Sequence, residues 1–192
     1  RIDPLKKIIL GGPNCYNVLK DNSSFRLNLD LQDYADLVVV GEGEQTLLSA
    51  LQLLEREAPL NECRGIALRK EGGWVFNGFA EPIADLDGLP FPDFDAFDLS
   101  AYTDRNAFPI LTSRGCVMKC VFCTDTHFWS PYRYRSASHV FTEITALKQK
   151  YDKGFLNFND SVINGNTRNL LELCELLIKN KVNISWGGNC RI

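Results

Sequence analysis

Short apolar runs, glycine-rich turns and helical repeats alternate along the first part of the chain. Lys7–Leu10 and Asp36–Val40 are strand-sized apolar runs, and each is closed by a glycine-containing turn. An amphipathic helix after the second turn is predicted by four apolar residues at helical spacing, Leu47, Ala50, Leu51 and Leu54. Because continuous apolar strands followed by helices are typical of sheets covered on both faces, this region predicts a parallel α/β arrangement.

The middle of the chain has a different pattern. Ile66–Lys70 and Trp74–Phe76, separated by a Glu-Gly-Gly turn, predict a β-hairpin. The stretch Asp85–Asp95 that follows is rich in proline, aspartate and aromatic residues, and neither a helical nor a strand period runs through it. We expect an extended connector here and a domain boundary within it.

The α/β pattern resumes at Phe108 and continues as strand, loop, helix, strand, helix, strand. Strands are predicted at Phe108–Ser113, at Phe155–Asp160 and from Ile184, joined by crossovers that we take as right-handed. Two amphipathic helices lie between them, one with Val140, Ile144, Leu147 and Tyr151 on its buried face, the other with Leu170, Leu173, Cys174 and Leu177. Ser136 or Ser138 is the expected N-cap of the first helix.

Composition excludes several functional classes. The chain has 192 residues, 45% apolar and 23% charged, with a net charge of −3, which is typical of a globular protein. This balance argues against a nucleic-acid-binding or membrane-surface protein. No apolar run has the ~20 residues that span a bilayer, and the first residues do not resemble a secretory signal. We therefore expect a cytoplasmic protein with reduced cysteines.

Cysteine spacing is the most informative chemical feature of the chain. Of seven cysteines, Cys116, Cys120 and Cys123 lie within eight residues, with the spacing C-x3-C-x2-C. Clustered cysteines in a reduced protein indicate metal or redox chemistry rather than disulfides. Three thiolates on one loop can hold three corners of an iron–sulfur cubane and leave the fourth iron open. Gly115 would let the backbone turn tightly in front of the first cysteine.

Zinc is the competing interpretation of the same loop. His127 extends the spacing to C-x3-C-x2-C-x3-H, which has the composition of a Cys3His site. On that hypothesis the protein is a non-catalytic zinc or redox-sensing module, and its α/β segments form a scaffold for protein interactions. The four remaining cysteines carry no metal-binding spacing and are expected to be structural: Cys15, Cys63, Cys174 and Cys190.

The cysteine motif resembles that of the radical S-adenosylmethionine (SAM) enzymes. In both, C-x3-C-x2-C follows a β-strand and an aromatic residue, here Phe122, precedes the third cysteine. The resemblance implies a [4Fe–4S] cluster on Cys116, Cys120 and Cys123, with SAM chelated to the open iron. It also implies reductive cleavage of SAM to a 5′-deoxyadenosyl radical, an adenine contact for Phe122, and a partial (β/α) barrel with its site at the strand C-termini.

A second stretch is similar to the cobalamin-dependent group within that family. Tyr132–Ser136, followed by Val140 and Glu143-Ile144, resembles the group's R-x-R-S/P…V-x-E-I pattern, and Phe158–Ser161 resembles its F-x-D-D strand end. Arg135 is a candidate SAM contact, although Arg135 and Glu143 could instead form an ion pair. Asp160, at the C-terminal end of a predicted strand, is a candidate contact for SAM or substrate, or else a structural residue. Ser161 stands where F-x-D-D has its second acid, so the resemblance assigns no acid at this position.

The upstream segment is similar to the end of a cobalamin-binding domain. The turns that carry Gly11 and Gly12, and then Gly41 and Gly43, resemble those of the last two βα units of such a Rossmann-like domain. The resemblance thus implies three regions: residues 1–60 as the C-terminal part of a cobalamin-binding domain, 61–107 as hairpin and connector, and 108–192 as the first strands of the barrel. A D-x-H-x-x-G motif for a lower cobalt ligand does not occur in the chain.

The resemblance also implies partners and a larger protein. An electron donor of the flavodoxin or ferredoxin type is expected, together with a small-molecule or peptide substrate that the sequence does not identify. Catalytic residues and the reaction type (methyl transfer, cyclisation or rearrangement) stay open. Three barrel strands are too few to close, so the chain is expected to be the middle of a longer enzyme and inactive alone.

Overall fold

The computed structural model describes residues 6–13, 15, 35–71, 73–102, 107–123, 125–151 and 154–192, without the side chains of 126 and 127. The chain forms two compact units, which meet in sequence between Ile83 and Ala84. This division lies within the predicted hairpin-and-connector region, so the hairpin is in the first unit and the aromatic connector in the second. The α/β class predicted from the sequence is confirmed.

The first unit is built on a four-stranded mixed sheet. Its strands are β1 (Ile9–Leu10), β2 (Leu37–Val39), β3 (Ile66–Lys70) and β4 (Gly73–Phe76), in the order β1-β2-β3-β4. β1 and β2 are parallel, whereas β2–β3 and β3–β4 are antiparallel. The predicted hairpin therefore extends the sheet of the apolar strands, with Leu68 opposite Leu37.

The helix of the first unit buries a face that matches the predicted one only in part. This helix, α1 (Gly43–Glu55), buries Thr46 and Ala50, whereas Leu47 and Leu51 are 37% and 46% exposed. Of the four predicted apolar positions, Ala50 is buried and Leu54 is half-buried, so the predicted face is right at these two and wrong at Leu47 and Leu51. Gly65 explains the burial of Thr46, because a Cβ there would lie 2.9 Å from the Thr46 hydroxyl, so the missing side chain makes room for threonine.

The second unit contains a three-stranded parallel sheet and two long helices. Its elements are β5 (Ala107–Ile110), β6 (Ser113–Arg114), α2 (Asp125–Phe128), β7 (Arg133–Tyr134), α3 (Ala137–Tyr151), β8 (Phe155–Phe158), α4 (Thr167–Lys179) and β9 (Ser185–Gly188). The parallel sheet has the order β5-β8-β9, and β6 pairs antiparallel with β7. Single 3₁₀ turns lie at Leu99–Ala101 and Ile163–Asn166.

The predicted faces of α3 and α4 form the core of this unit. Val140, Ile144 and Leu147 of α3 pack with Leu173 and Leu177 of α4 against the parallel sheet. The Ser136 hydroxyl accepts from the His139 amide at 3.2 Å, so Ser136 rather than Ser138 caps α3. Asn166 caps α4 by accepting from the Asn169 amide at 3.1 Å. This packing fixes the strand ends at which the cysteine loop begins.

Within the part of the chain that the structure describes, none of the helices combines the length and apolar character needed to cross a bilayer.

Candidate functional site

The cysteine loop begins at the C-terminal end of the parallel strand β5. The predicted strand Phe108–Ser113 is interrupted, because β5 ends at Ile110 and the chain turns before β6. β6 then pairs with β7, and the Arg135 amide donates to the Thr112 carbonyl at 2.8 Å. The first cysteine follows two residues after β6, so the loop is anchored on a sheet at its start.

Gly115 lets two segments of the loop approach each other closely. Its φ of +85° lies in the left-handed region that favours glycine. A Cβ at this position would lie 2.6 Å from the Trp129 carbonyl oxygen and 3.1 Å from the Tyr132 Cα. Both conformation and space therefore require glycine directly before Cys116, as the sequence predicted.

The three clustered cysteines are half-buried free thiols. Sγ of Cys116 accepts from the Met118 amide at 3.4 Å, and Sγ of Cys120 accepts from Nη1 of Arg191 at 3.4 Å. The Cys123 amide donates to the Cys120 carbonyl at 3.1 Å, which closes a turn between these two residues. Thiolate sulfur is a soft ligand that suits iron–sulfur clusters and zinc, so the donor set fits a metal centre in kind.

Those thiols are not gathered around a common point. Among the side chains that the structure describes, no group of three or more His, Cys, Asp or Glu residues is close enough to hold a metal ion. The side chain of His127, the fourth ligand of the zinc hypothesis, lies outside the described part. The loop thus provides three candidate ligands, Cys116, Cys120 and Cys123.

Phe122 projects into solvent from this loop. Its side chain is 86% exposed, and that of the neighbouring Val121 is fully exposed. Two apolar side chains are therefore exposed next to the candidate metal ligands.

Asp160 is buried directly beneath the start of the loop. It is 1% exposed, and its carboxylate accepts from the Thr112 amide, at 3.2 Å to Oδ1 and 3.1 Å to Oδ2. Oδ1 also accepts from the Thr112 hydroxyl at 2.7 Å and from the Ser113 hydroxyl at 2.5 Å. Asp160 therefore ties the end of β8 to the residues between β5 and β6.

Arg135 forms the ion pair with Glu143 that the sequence left open. Nη1 of Arg135 lies 2.5 Å from Oε2 of Glu143, with the two side chains 11% and 2% exposed. The same Nη1 donates to the Leu111 carbonyl at 2.8 Å, and Nε donates to Nδ1 of His139 at 3.1 Å. Within the described residues, Nη2 of Arg135 and Oε2 of Glu143 lack a well-aligned hydrogen bond. The pair thus holds the backbone that precedes Thr112.

Two residues near the loop have contacts that the sequence did not predict. The Ser161 hydroxyl donates to Oδ2 of Asp125 at 2.9 Å, so a carboxylate two residues after Cys123 reaches the position where F-x-D-D has its second acid. Tyr132 packs beside Gly165, and burial raises the pKa of its phenol, an effect partly offset by a hydrogen bond with Ser113. The spacing of residues along the sequence could not indicate these contacts, because the residues that they join lie more than 18 positions apart in the chain.

The candidate cobalamin residues lie at the C-terminal ends of two neighbouring strands in the first unit. Gly11 and Gly12 follow β1, Gly41 and Gly43 follow β2, and the two strands are parallel neighbours. Gly12 and Gly41 have φ of +99° and +92°, and no described atom lies within 4 Å of a Cβ built on either. Among the described residues, no side chain therefore covers the backbone of Gly12 or Gly41.

Two residues near these glycines in the sequence contact the rest of the first unit. The Glu42 carboxylate accepts from the Ile83 amide at 3.1 Å. Cys15 packs with Val38, Val40 and Ala67, and burial raises the pKa of its thiol. Cys15 therefore has the core environment expected for a structural cysteine.

Comparison with known proteins finds relatives along most of the chain. It is 34% identical over 168 residues to the anaerobic magnesium-protoporphyrin IX monomethyl ester cyclase of Rubrivivax gelatinosus, a match that covers 83% of this chain and 30% of the cyclase. It is 28% identical over 185 residues to the cytidylyl-2-hydroxyethylphosphonate methyltransferase of Streptomyces wedmorensis, covering 79% and 34%. The chain thus spans about a third of the length of these relatives. No protein-family model matches it.

Solved structures share the fold. The cobalamin-dependent SAM radical enzyme OxsB, with aqua-cobalamin and SAM bound, matches with a TM-score of 0.64 at 26% identity, over 78% of this chain and 22% of that one. The radical SAM methyltransferase TsrM from Kitasatospora setae, with tryptophan and a SAM analogue bound, matches with a TM-score of 0.65 at 19% identity, over 92% and 34%.

Proposed function

Because this chain is a homologue of a segment of the cobalamin-dependent radical SAM enzymes, we propose that its full protein is one of them. We propose that Cys116, Cys120 and Cys123 bind a [4Fe–4S] cluster to which SAM is chelated. The observation that carries the proposal is the C-x3-C-x2-C loop at the C-terminal end of β5. Active sites of (β/α) barrels are found at that end of the strands.

When bound, the cluster supplies the electron that reductively cleaves SAM. The residues around it hold the loop in position. Asp160 accepts from Thr112 and Ser113, and Arg135 donates to the Leu111 carbonyl, so both sides of the turn before the cysteines are fixed. Preorganised supports of this kind reduce the ordering cost when a ligand binds.

The three candidate SAM residues differ in availability. The Phe122 ring is exposed, and we propose that it covers the adenine. Asp160 and Arg135 are engaged with the protein backbone, so we propose that they support the SAM site by holding the loop.

We propose that cobalamin binds at the glycine-containing turns that follow β1 and β2 in the first unit. Gly11, Gly12, Gly41 and Gly43 lie on two adjacent turns at the ends of parallel strands, where α/β sheets bind their ligands. The open space over Gly12 and Gly41 supports close approach of a large macrocycle to the backbone.

The reaction that we propose is a methyl transfer or a ring-forming step on an organic substrate. Relatives of the chain include cyclases, methyltransferases and a synthase, which supports this range. A flavodoxin- or ferredoxin-type donor would supply the electron. Seven free cysteines support a reducing, cytoplasmic location.

Anaerobic reconstitution of the full-length protein tests the cluster. We expect about four irons per chain and formation of 5′-deoxyadenosine or S-adenosylhomocysteine from SAM with a chemical reductant. Cys120→Ala should lose the iron and the SAM cleavage, whereas Cys190→Ala, which changes an exposed cysteine outside the motif, should keep both.

The zinc hypothesis predicts the opposite result. One tightly held zinc per chain, with no iron uptake under anaerobic conditions, would contradict the proposal. Cobalamin is tested separately, by corrinoid absorption after incubation with hydroxocobalamin. We expect Gly41→Leu to weaken that binding and to leave the iron content unchanged.

A further inference from the structure

The Arg191 guanidinium donates a hydrogen bond to Cys120, one of the clustered cysteines. Its Nη1 lies 3.4 Å from Sγ of Cys120, although 71 residues separate the two in sequence. Arg191 follows β9, so the third parallel strand brings its side chain back to a loop that begins at the first. The contact joins two elements of the second unit that the sequence alone does not connect.

The side chain of one asparagine, Asn164, forms two hydrogen bonds with the Arg191 backbone. The Arg191 amide donates to Oδ1 of Asn164 at 3.0 Å, and Nδ2 of Asn164 donates to the Arg191 carbonyl at 2.6 Å. The neighbouring Ile163 amide donates to the Asn189 carbonyl at 2.8 Å. These bonds fix the start of the Arg191 side chain, which reduces the conformational entropy lost when its guanidinium reaches the sulfur.

We propose that Arg191 raises the reduction potential of the cluster through its contact with Cys120, and that Asn164 is the positioning residue for Arg191. This inference rests on the proposed function, because it requires the cluster. Hydrogen bonds to cluster sulfurs and nearby charge are among the factors that set iron–sulfur potentials. Reduction adds one negative charge to the cluster, and a guanidinium beside a ligand sulfur stabilises the reduced form relative to the oxidised form.

The effect should be moderate, because Arg191 is exposed and water screens its charge. For an exposed charge interaction, we expect the ratio of reduced to oxidised cluster to fall about two- to fivefold in Arg191→Met, measured at the wild-type midpoint potential. Arg191→Lys keeps the charge and should stay near the wild-type ratio. Asn164→Ala keeps the guanidinium but releases its backbone, so its ratio should lie between the two.

The test is a potentiometric titration of the reconstituted full-length protein without SAM, followed by the electron paramagnetic resonance signal of the reduced cluster. Lys119→Met is the matched control, since Lys119 is an exposed cation on the same loop and adjoins Cys120 in sequence. Its ratio should equal that of wild type. Iron content, measured for every variant, separates a change in potential from a loss of cluster.

Two results would overturn the inference and leave the proposed function standing: an unchanged ratio in Arg191→Met, or an equal decrease in Lys119→Met. If Arg191→Met fails to take up iron, Asn164→Ala provides the test instead. A wild-type ratio of reduced to oxidised cluster in Asn164→Ala would then overturn the inference. A wild-type protein that binds no [4Fe–4S] cluster would overturn both proposals.

Discussion

Two turns occupy equivalent places in the two units, each directly after a parallel strand, yet they are built in opposite ways. The turn after β2 contains Gly41, over which the described structure leaves open space. The turn after β5 runs through Thr112 and Ser113, whose polar groups bond to a buried carboxylate, and ends at Gly115. A side chain on Gly115 would meet the backbone of a neighbouring segment, unlike one on Gly41.

The difference shows two ways in which the turn after a parallel strand is built. The first turn offers bare backbone, so its shape depends on little besides the glycine conformation. The second turn offers thiols on a loop whose start is held by buried polar contacts, so its shape depends on several side chains. Substitutions near the second turn should therefore cost more stability.

Among the substitutions near the second turn, Asp160→Ala should cost the most stability. We expect the free energy of unfolding to fall by about 4 kcal/mol, because buried donors on Thr112 and Ser113 lose their acceptor. Chemical denaturation followed by circular dichroism measures the loss. Asp98→Ala is the control, because Asp98 also accepts from an amide and a hydroxyl, both of Ser100, but in an exposed position. Its effect should be small because water replaces the carboxylate, and equal losses would contradict the role of burial.

Glu143→Gln should have the next largest effect. We expect a loss of about 3 kcal/mol in the free energy of unfolding, because the buried Arg135 guanidinium loses its counter-charge. Lys150→Met is a matched control at the surface, since the Lys150–Asp95 contact is also 2.5 Å long but exposed. That variant should unfold almost like wild type. Both variants are measured by chemical denaturation. Similar losses in the free energy of unfolding would mean that the length of an ion pair, rather than its burial, determines its contribution to stability.

Gly115→Ala and Gly41→Ala compare the two turns directly. Both alanines must adopt a positive φ, which costs about 1 kcal/mol at Gly41, where there is space for the methyl group. At Gly115 the methyl group also displaces the Trp129 carbonyl, and we expect a total loss of about 3 kcal/mol. The difference between their thermal or chemical unfolding curves is the measurement. Equal losses would show that the two turns are equally tolerant and would remove the contrast between them.

Local pattern was sufficient to predict most elements. The apolar runs, the hairpin and the helical repeats of α3 and α4 match the observed elements because each depends on neighbouring residues. The buried face of α1 was predicted correctly at Ala50 but without Thr46, because Thr46 is polar and its burial depends on the missing side chain at Gly65. The pairing of the hairpin with β2 also depends on residues distant in sequence.

The residue types of the candidate site could be predicted, but its supports only in part: the Arg135–Glu143 ion pair was one of two interpretations of those residues. Clustered cysteines are a local signal, whereas the acceptor for Thr112 lies 48 residues away in Asp160. Arg191 reaches Cys120 only because β5, β8 and β9 are neighbours in one sheet. Such contacts follow from topology, and no spacing in the sequence reports them.

The close packing of Trp129 against Gly115 has a practical consequence. The chain has three tryptophans: Trp74 on β4 of the first unit, and Trp129 and Trp186 in the second. With phenylalanine at 74 and 186, Trp129 would be the single indole fluorophore. Because its ring lies 5.2 Å from the Arg114 guanidinium and its carbonyl faces Gly115, its emission would report on the ordering of the cysteine loop in metal-free protein.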